Sequence, residues 1–360
     1  MPEVIMQGRL YTVAGWDIYL PEVVISTVFL ILFAWINIRG VELSGRLQFI
    51  ACVLMLLAVA IIVVSAVALF VTEGLPLGPG FPPEVSPIAG VAAIVAFAPW
   101  AYVGFDNVPQ LAGEFDFSPR KALALLLWGV GAATFIYMAM MVATSIAVGT
   151  DHDRYADSAW PPAEAIADLL GPAGLLLMVV AVSMGVLTGL NGFFVSTSRV
   201  LLTMGRMRML PSAFARLHPQ LRTPVVGVLF TTLLCLVAPF FGRAALVWVV
   251  DMTSVGITVA FFYTCYCAFS IGRNGYVNGM AHRQAPNPRL VAIGAAGCVL
   301  AGCFLLVLLL PGSPGALTLP SLIALGCWIL FGIAFYFVRR TAMRDYPESE
   351  LENVVFTRSE

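Results

Sequence analysis

Hydrophobic positions along this chain come in long blocks rather than in strict alternation. Nine blocks stand out, near residues 21–38, 47–71, 88–112, 121–149, 169–198, 225–241, 245–271, 290–310 and 318–338. A bilayer core asks for about 20 apolar residues per helix, and the blocks approach or exceed that length. Open strands cannot satisfy their backbone groups in lipid, so every block is predicted to be helical. Residues 1–20 read as an outer segment, 21–338 as the membrane-embedded part and 339–360 as a polar tail. The expected fold class is an all-α integral membrane protein of about nine transmembrane helices.

Basic residues orient the blocks. Of the 19 lysines and arginines, Arg9, Arg154 and Arg243 fall on one side of the alternating connections and all the rest on the side of the tail. Cytoplasmic loops carry the excess of basic residues. The C-terminus is therefore expected in the cytoplasm and, with an odd number of spans, the N-terminus outside. Residues 71–86 form a Pro/Gly-rich outer connection, and 150–164 an outer loop with acids, Trp160 and a Pro161-Pro162 pair. Residues 204–223 read as a basic inner segment, compatible with a short amphipathic helix at the membrane surface.

Composition agrees. The chain is 60% hydrophobic and 11% charged, against about 25% charged for soluble domains, so the lipid bilayer serves as its solvent. No basic cluster interleaved with aromatics is present, which argues against nucleic acid as a partner. The seven cysteines all lie in apolar blocks and read as packing residues. Cys265 and Cys267 are too close for a zinc knuckle and have no histidine nearby, so no metal site is expected. The three histidines, His152, His218 and His282, fall in predicted loops. That excludes an HExxH metalloprotease and a serine–histidine hydrolase within the membrane. No enzyme or cofactor reading survives. Transport, or a membrane scaffold without chemistry, remains.

The third block departs from smooth hydrophobicity. It reads AFAPWAYVGFDNVPQLAGEFDFSPRKA. Pro99 and Pro109 each remove a backbone donor. Gly104, between them, tolerates backbone angles that other residues avoid. Asp106 follows within the membrane, where an acid is costly and usually functional. Unwinding here would free backbone groups at mid-membrane, as in the discontinuous helices that build transporter sites. The alternative is a proline-kinked packing helix with Asp106 bonded to a neighbour.

WAYVGFD and the following LAGEFDFSPRKA resemble the sixth helix of amino acid permeases of the amino acid–polyamine–organocation (APC) superfamily. NIRGVELSGRLQ (37–48) is similar to that family's link between helices four and five. NGFFVSTSRVLLTMGRMRMLP (191–211), with Arg222, Thr223 and Pro224 after it, is similar to the end of helix eight and its inner loop. DMTSVGI (251–257) is similar to the start of helix ten. The four motifs stand in the family's order and span nearly the whole chain. The resemblance implies that the nine blocks are helices four to twelve of an incomplete inverted-repeat transporter fold. A partner chain would supply the other helices, or the chain is a fragment or truncated gene product. It also implies a small-molecule substrate, an amino acid or related amine, moved by alternating access.

By the same resemblance, Trp100 closes over the substrate and the carbonyls of Trp100, Ala101 and Val103 receive its ammonium. Tyr102 and Gly104 lie in the same binding segment, Phe105 lines the side-chain pocket, and Asp106 ties the broken helix to the family's first helix. The family's inner Glu-Glu pair is Gly113-Glu114 here, leaving Glu114 as a candidate gate. A lysine that serves proton coupling in some members would fall near Met55, where the helix has none. The coupling ion, H+ or Na+, stays open. Ser196 and Thr197, with Ser198, are candidates for a cation site or for hydroxyls bonded back to their own helix. Asp251 is a candidate gate or a helix N-cap. Two functions fit: a secondary transporter, or a transport-inactive remnant or interaction subunit that keeps the architecture.

Overall fold

The computed structural model describes residues 8–344 except 14, 79, 82–85, 97, 111–116, 152, 156–157, 159, 276, 279–281, 284–285 and 314. It opens on an antiparallel hairpin of β1 (Arg9–Val13) and β2 (Trp16–Tyr19). Helices α1 (Leu20–Arg39) and α2 (Val41–Glu73) follow, separated by Gly40. The third block is in pieces: α3 (Pro87–Ala96), α4 (Ala98–Ala101) and α5 (Asn107–Gln110). Then come α6 (Pro119–Val148), α7 (Pro161–Arg206), α8 (Val225–Cys235) and α9 (Gly242–Asn274). A two-residue pairing of β3 (Val277–Asn278) with β4 (His282–Arg283) leads to α10 (Pro288–Leu309) and α11 (Leu319–Arg344).

Among the described residues, seven helices are long and apolar enough to cross a membrane: α1, α2, α6, α7, α9, α10 and α11. The other two apolar blocks are shorter. The sixth is α8, extended by a 3₁₀ turn at Ala238–Phe241, and the third is the broken segment. The predicted all-α class therefore holds for the apolar blocks and misses the two small hairpins. Residues 207–224 carry one 3₁₀ turn, Ser212–Ala215, in place of the amphipathic helix expected there.

Local sequence sets the helix ends. Ser118 accepts a hydrogen bond from the Lys121 amide at 3.4 Å, with Pro119 at the first helical position of α6. Asn287 does the same for Arg289 and Leu290 at the start of α10, again followed by proline. A side-chain acceptor before a proline whose missing N–H costs nothing is a strong helix start. Helix α7 bends at Gly171 (φ 70°, ψ −162°), just before Pro172.

Packing runs in pairs. Helix α2 lies along α7, and α9 along α10. The second pair approaches closely: a Cβ on Gly294 would stand 2.5 Å from the Phe269 backbone nitrogen. Small residues at such contacts let helices associate in lipid through dispersion. One buried cluster joins Ile62 and Ala66 of α2 to Ala143 and Ile146 of α6 and Ile166 and Met178 of α7. Another joins Leu30, Phe33 and Ile36 of α1 to Phe194 of α7 and Val228 of α8. Large apolar side chains such as Phe49, Trp128, Leu330 and Val338 face outward, as lipid-solvated surface requires.

Where α1 turns into α2, a buried polar cluster ties both to α7. Asn191 accepts from Asn37 (3.0 Å) and Ser44 (2.9 Å), and donates to the Ser44 carbonyl (3.2 Å) and Gln48 (3.0 Å). Asn37 also donates to the Phe33 carbonyl at 2.8 Å. Beside them Thr223 donates to the Ile38 carbonyl at 3.0 Å.

Candidate functional site

The break in the third block has a local cause. Pro109 cannot donate to the Phe105 carbonyl four residues back, and that carbonyl takes the Val108 amide instead, at 3.2 Å. The same three-residue spacing recurs from Val103 to Trp100 (3.0 Å) and from Asn107 to Gly104 (3.1 Å). Between them Gly104 has φ 120°, an angle essentially reserved for glycine. The turn at residues 102–106 interrupts the helix where the prolines and glycine predict it.

Asp106 stabilises the turn from within. Its Oδ1 accepts the Gly104 amide at 2.9 Å and its Oδ2 the Gln110 side chain at 3.2 Å. The carbonyls of Tyr102 and Val103 carry no hydrogen bond among the described residues. A cleft of about 260 Å³ lies between the break and α6, lined by Ala101, Tyr102, Val103, Phe105, Val130 and Tyr137, among others. None of the described lining residues is acidic or basic. Phe105 also packs on Phe261 of α9, ring centroids 5.3 Å apart. Trp100 is 44% exposed at the end of α4. Asn107 lies beside Gly192 of α7, so α6, α7 and α9 together hold the broken segment.

Two side chains absent from the sequence-level candidates brace the wall, Tyr137 from within the lining and Thr134 from outside it. The Tyr102 hydroxyl meets the Thr134 hydroxyl of α6 at 2.8 Å. The Tyr137 hydroxyl, one turn further along α6, donates to the Ala101 carbonyl at 2.7 Å. The two tyrosine rings meet edge to face at 5.8 Å. Nothing in the smoothly apolar fourth block marks Thr134 or Tyr137 on α6; only the position of the break does.

Ser196, Thr197 and Asp251 do not line this cleft. Glu114 falls outside the described residues. Ser196, buried on α7, donates to the carbonyls of Gly192 (3.1 Å) and Phe193 (3.4 Å), which is the back-bonding alternative. Thr197 is partly buried on the same helix. Asp251 is not an N-cap: α9 starts at Gly242, and residues 242–250 are already helical. That places Asp251 in the third turn, where it accepts the Ser321 hydroxyl of α11 at 2.6 Å.

A family model described as amino acid permease matches residues 5–335. The chain belongs to the amino acid permease family. This permease is 26% identical over 321 residues to the branched-chain amino acid permease BcaP of Lactococcus lactis subsp. cremoris (strain MG1363), covering 87% of this chain and 65% of that protein. The methylthioribose transporter of Bacillus subtilis (strain 168) is 26% identical over 341 residues, 92% of this chain and 67% of its own. Cationic amino acid transporter 4, vacuolar, of Arabidopsis thaliana is 26% identical over 191 residues, 52% of this chain and 30% of its own. The permease thus spans no more than about two-thirds of the length of any of the three. The family and these relatives are transporters, not enzymes, and with its apolar helices the chain is a multi-pass membrane protein.

Proposed function

We propose that this permease carries the amine-binding half of a secondary transporter for amino acids or related amines, working by alternating access. The observation that carries the reading is the break at Gly104, where Tyr102 and Val103, whose carbonyls have no partner among the described residues, line a cleft of about 260 Å³. An ammonium group needs several acceptors, and carbonyl dipoles at an unwound helix supply them without a buried counter-charge. Trp100 is the gate over the substrate, and Phe105 lines the side-chain pocket. The apolar lining favours substrates with an apolar side chain, such as those named for BcaP, over the cationic ones named for the plant relative. The carboxylate half of the site, and the coupling ion, H+ or Na+, lie outside the residues that form this cleft.

The proposed topology has nine spans in the cell membrane, with the broken segment and α8 as two of them and the C-terminus in the cytoplasm. Contacts between segments assigned to the same side support it. Thr223, from one inner loop, bonds Ile38 at the end of α1. Arg339 donates to the carbonyls of Arg208 (3.0 Å) and Leu210 (3.1 Å), joining the start of the tail to that inner loop. On the opposite side, Tyr11 of the hairpin donates to the Phe240 carbonyl at 2.7 Å.

Uptake of labelled amino acids and polyamines into proteoliposomes, with and without a proton or sodium gradient, tests the function. Trp100→Ala is expected to abolish uptake while leaving membrane insertion intact. Normal uptake by that variant would remove Trp100 as the gate, and no uptake of any amine by the unaltered protein would leave the remnant reading in its place.

A further inference from the structure

Ala101 lines the same cleft as Tyr102 and Val103, yet its carbonyl is occupied. We infer that the Tyr137 hydroxyl is a placeholder for the substrate's ammonium, holding an acceptor that an incoming amine takes over. The inference rests on the reading of the cleft as an amine site.

Three observations converge on Tyr137. Its hydroxyl donates to the Ala101 carbonyl at 2.7 Å, as an ammonium N–H would. An ammonium brings three donors, and the break offers two carbonyls without a partner among the described residues plus this occupied one. The phenol is held in place by its edge-to-face contact with Tyr102, whose own hydroxyl is fixed on Thr134. Tyr137 nevertheless remains 46% exposed and lines the cleft, so its hydroxyl has room to swing off the carbonyl. In lipid an unsatisfied carbonyl costs several kcal/mol. A tyrosine that satisfies it in the empty site and yields it to substrate keeps the break intact in both states. Tyr137 is thus a positioning residue that tunes affinity for amines.

The test is equilibrium binding to the protein in lipid nanodiscs. The probes are labelled L-leucine, isoamylamine, which keeps the ammonium and lacks the carboxylate, and 4-methylpentanoate, which keeps the carboxylate and lacks the ammonium. Tyr137→Phe retains the ring against Tyr102 and removes only the competing donor. It is expected to bind leucine and isoamylamine about two- to tenfold more tightly, the effect of about one net hydrogen bond. Affinity for 4-methylpentanoate should not move. Weaker or unchanged amine binding, with leucine still bound by the unaltered protein, overturns the inference and leaves the amine site standing. Thr134→Val loosens the same wall without vacating Ala101. An equal amine-selective gain in that variant overturns the inference too. Failure of the unaltered protein to bind either amine sinks the amine site itself and the placeholder with it.

Discussion

The corner between α1 and α2 and the break at Gly104 are both interruptions of apolar helix by polar groups, and they use them in opposite ways. At the corner, the four hydrogen bonds of Asn191 use both the oxygen and the nitrogen of its side-chain amide, and Asn37 and Ser44 beside it are buried. The polar atoms answer one another, and none of these side chains is left reaching for a ligand. At the break, Asp106 and Tyr137 satisfy the Gly104 amide and the Ala101 carbonyl, while the Tyr102 and Val103 carbonyls stay without a partner among the described residues, beside a cleft. A fully connected polar cluster fixes helices against each other. A cluster left incomplete in an apolar setting is costly unless something comes to complete it. Stability and function are therefore expected to separate between the two places.

The largest effect is expected at the corner. Asn191→Leu keeps the branched shape and deletes four hydrogen bonds, leaving Gln48 without its Asn191 partner and the Ser44 hydroxyl with only Asn37 at 3.5 Å. Interhelical hydrogen bonds in membranes average about 0.6 kcal/mol, and a stranded buried group costs about 1–3 kcal/mol. A loss of about 2–4 kcal/mol is expected in a denaturant titration in micelles, with uptake per folded molecule retained. A change below about 0.5 kcal/mol would mean that the corner is held by apolar packing alone. Gly104→Ala is the converse. The added Cβ meets nothing within 4 Å, so the penalty is the backbone angle alone, about 1–3 kcal/mol. The segment can relieve it by rewinding, and uptake is expected to fall at least about tenfold, a barrier change of about 1.4 kcal/mol. If uptake follows stability in both variants, the separation between corner and break is wrong.

Much of this was legible beforehand because hydropathy blocks are a direct consequence of lipid solvation. The break at 102–106 was legible because Pro99, Gly104 and Pro109 act through their own backbone chemistry. Helix α7 extends beyond the predicted 169–198 block at both ends, where residues 161–170 carry Glu164 and Asp168 and residues 199–206 carry arginines. Polar helix beyond the apolar core has no block to announce it. The hairpin at residues 9–19 leaves little trace in the sequence because its alternation is brief and mostly exposed. The motif at 251–257 suggests a helix start and hence a cap at Asp251, but the helix begins at Gly242. The corner and the Tyr137 contact depend on pairings 36 to 154 residues apart. Asn37, Ser44 and Asn191 are ordinary polar residues until the helices meet. In the sequence Asn37 and Ser44 belong to one motif and Asn191 to another.

The smallest effect is expected at Ser196, and it bears on coupling. Its hydroxyl donates to carbonyls of its own helix, which are already the acceptors of the helical ladder, so the extra bond adds little. Ser196→Ala should shift stability by no more than about 0.5 kcal/mol. The donated proton does not use the hydroxyl's lone pairs, however, and a sodium ion binds through oxygen lone pairs rather than protons. Uptake measured with a sodium gradient and then with a proton gradient separates the cases. Equal uptake in variant and unaltered protein under both gradients makes Ser196 a packing hydroxyl, in line with its back-bonding and with the corner rather than the break. A loss confined to the sodium gradient would instead place a second incomplete polar site on α7, and the contrast between a satisfied scaffold and a single unsatisfied break would no longer describe this permease.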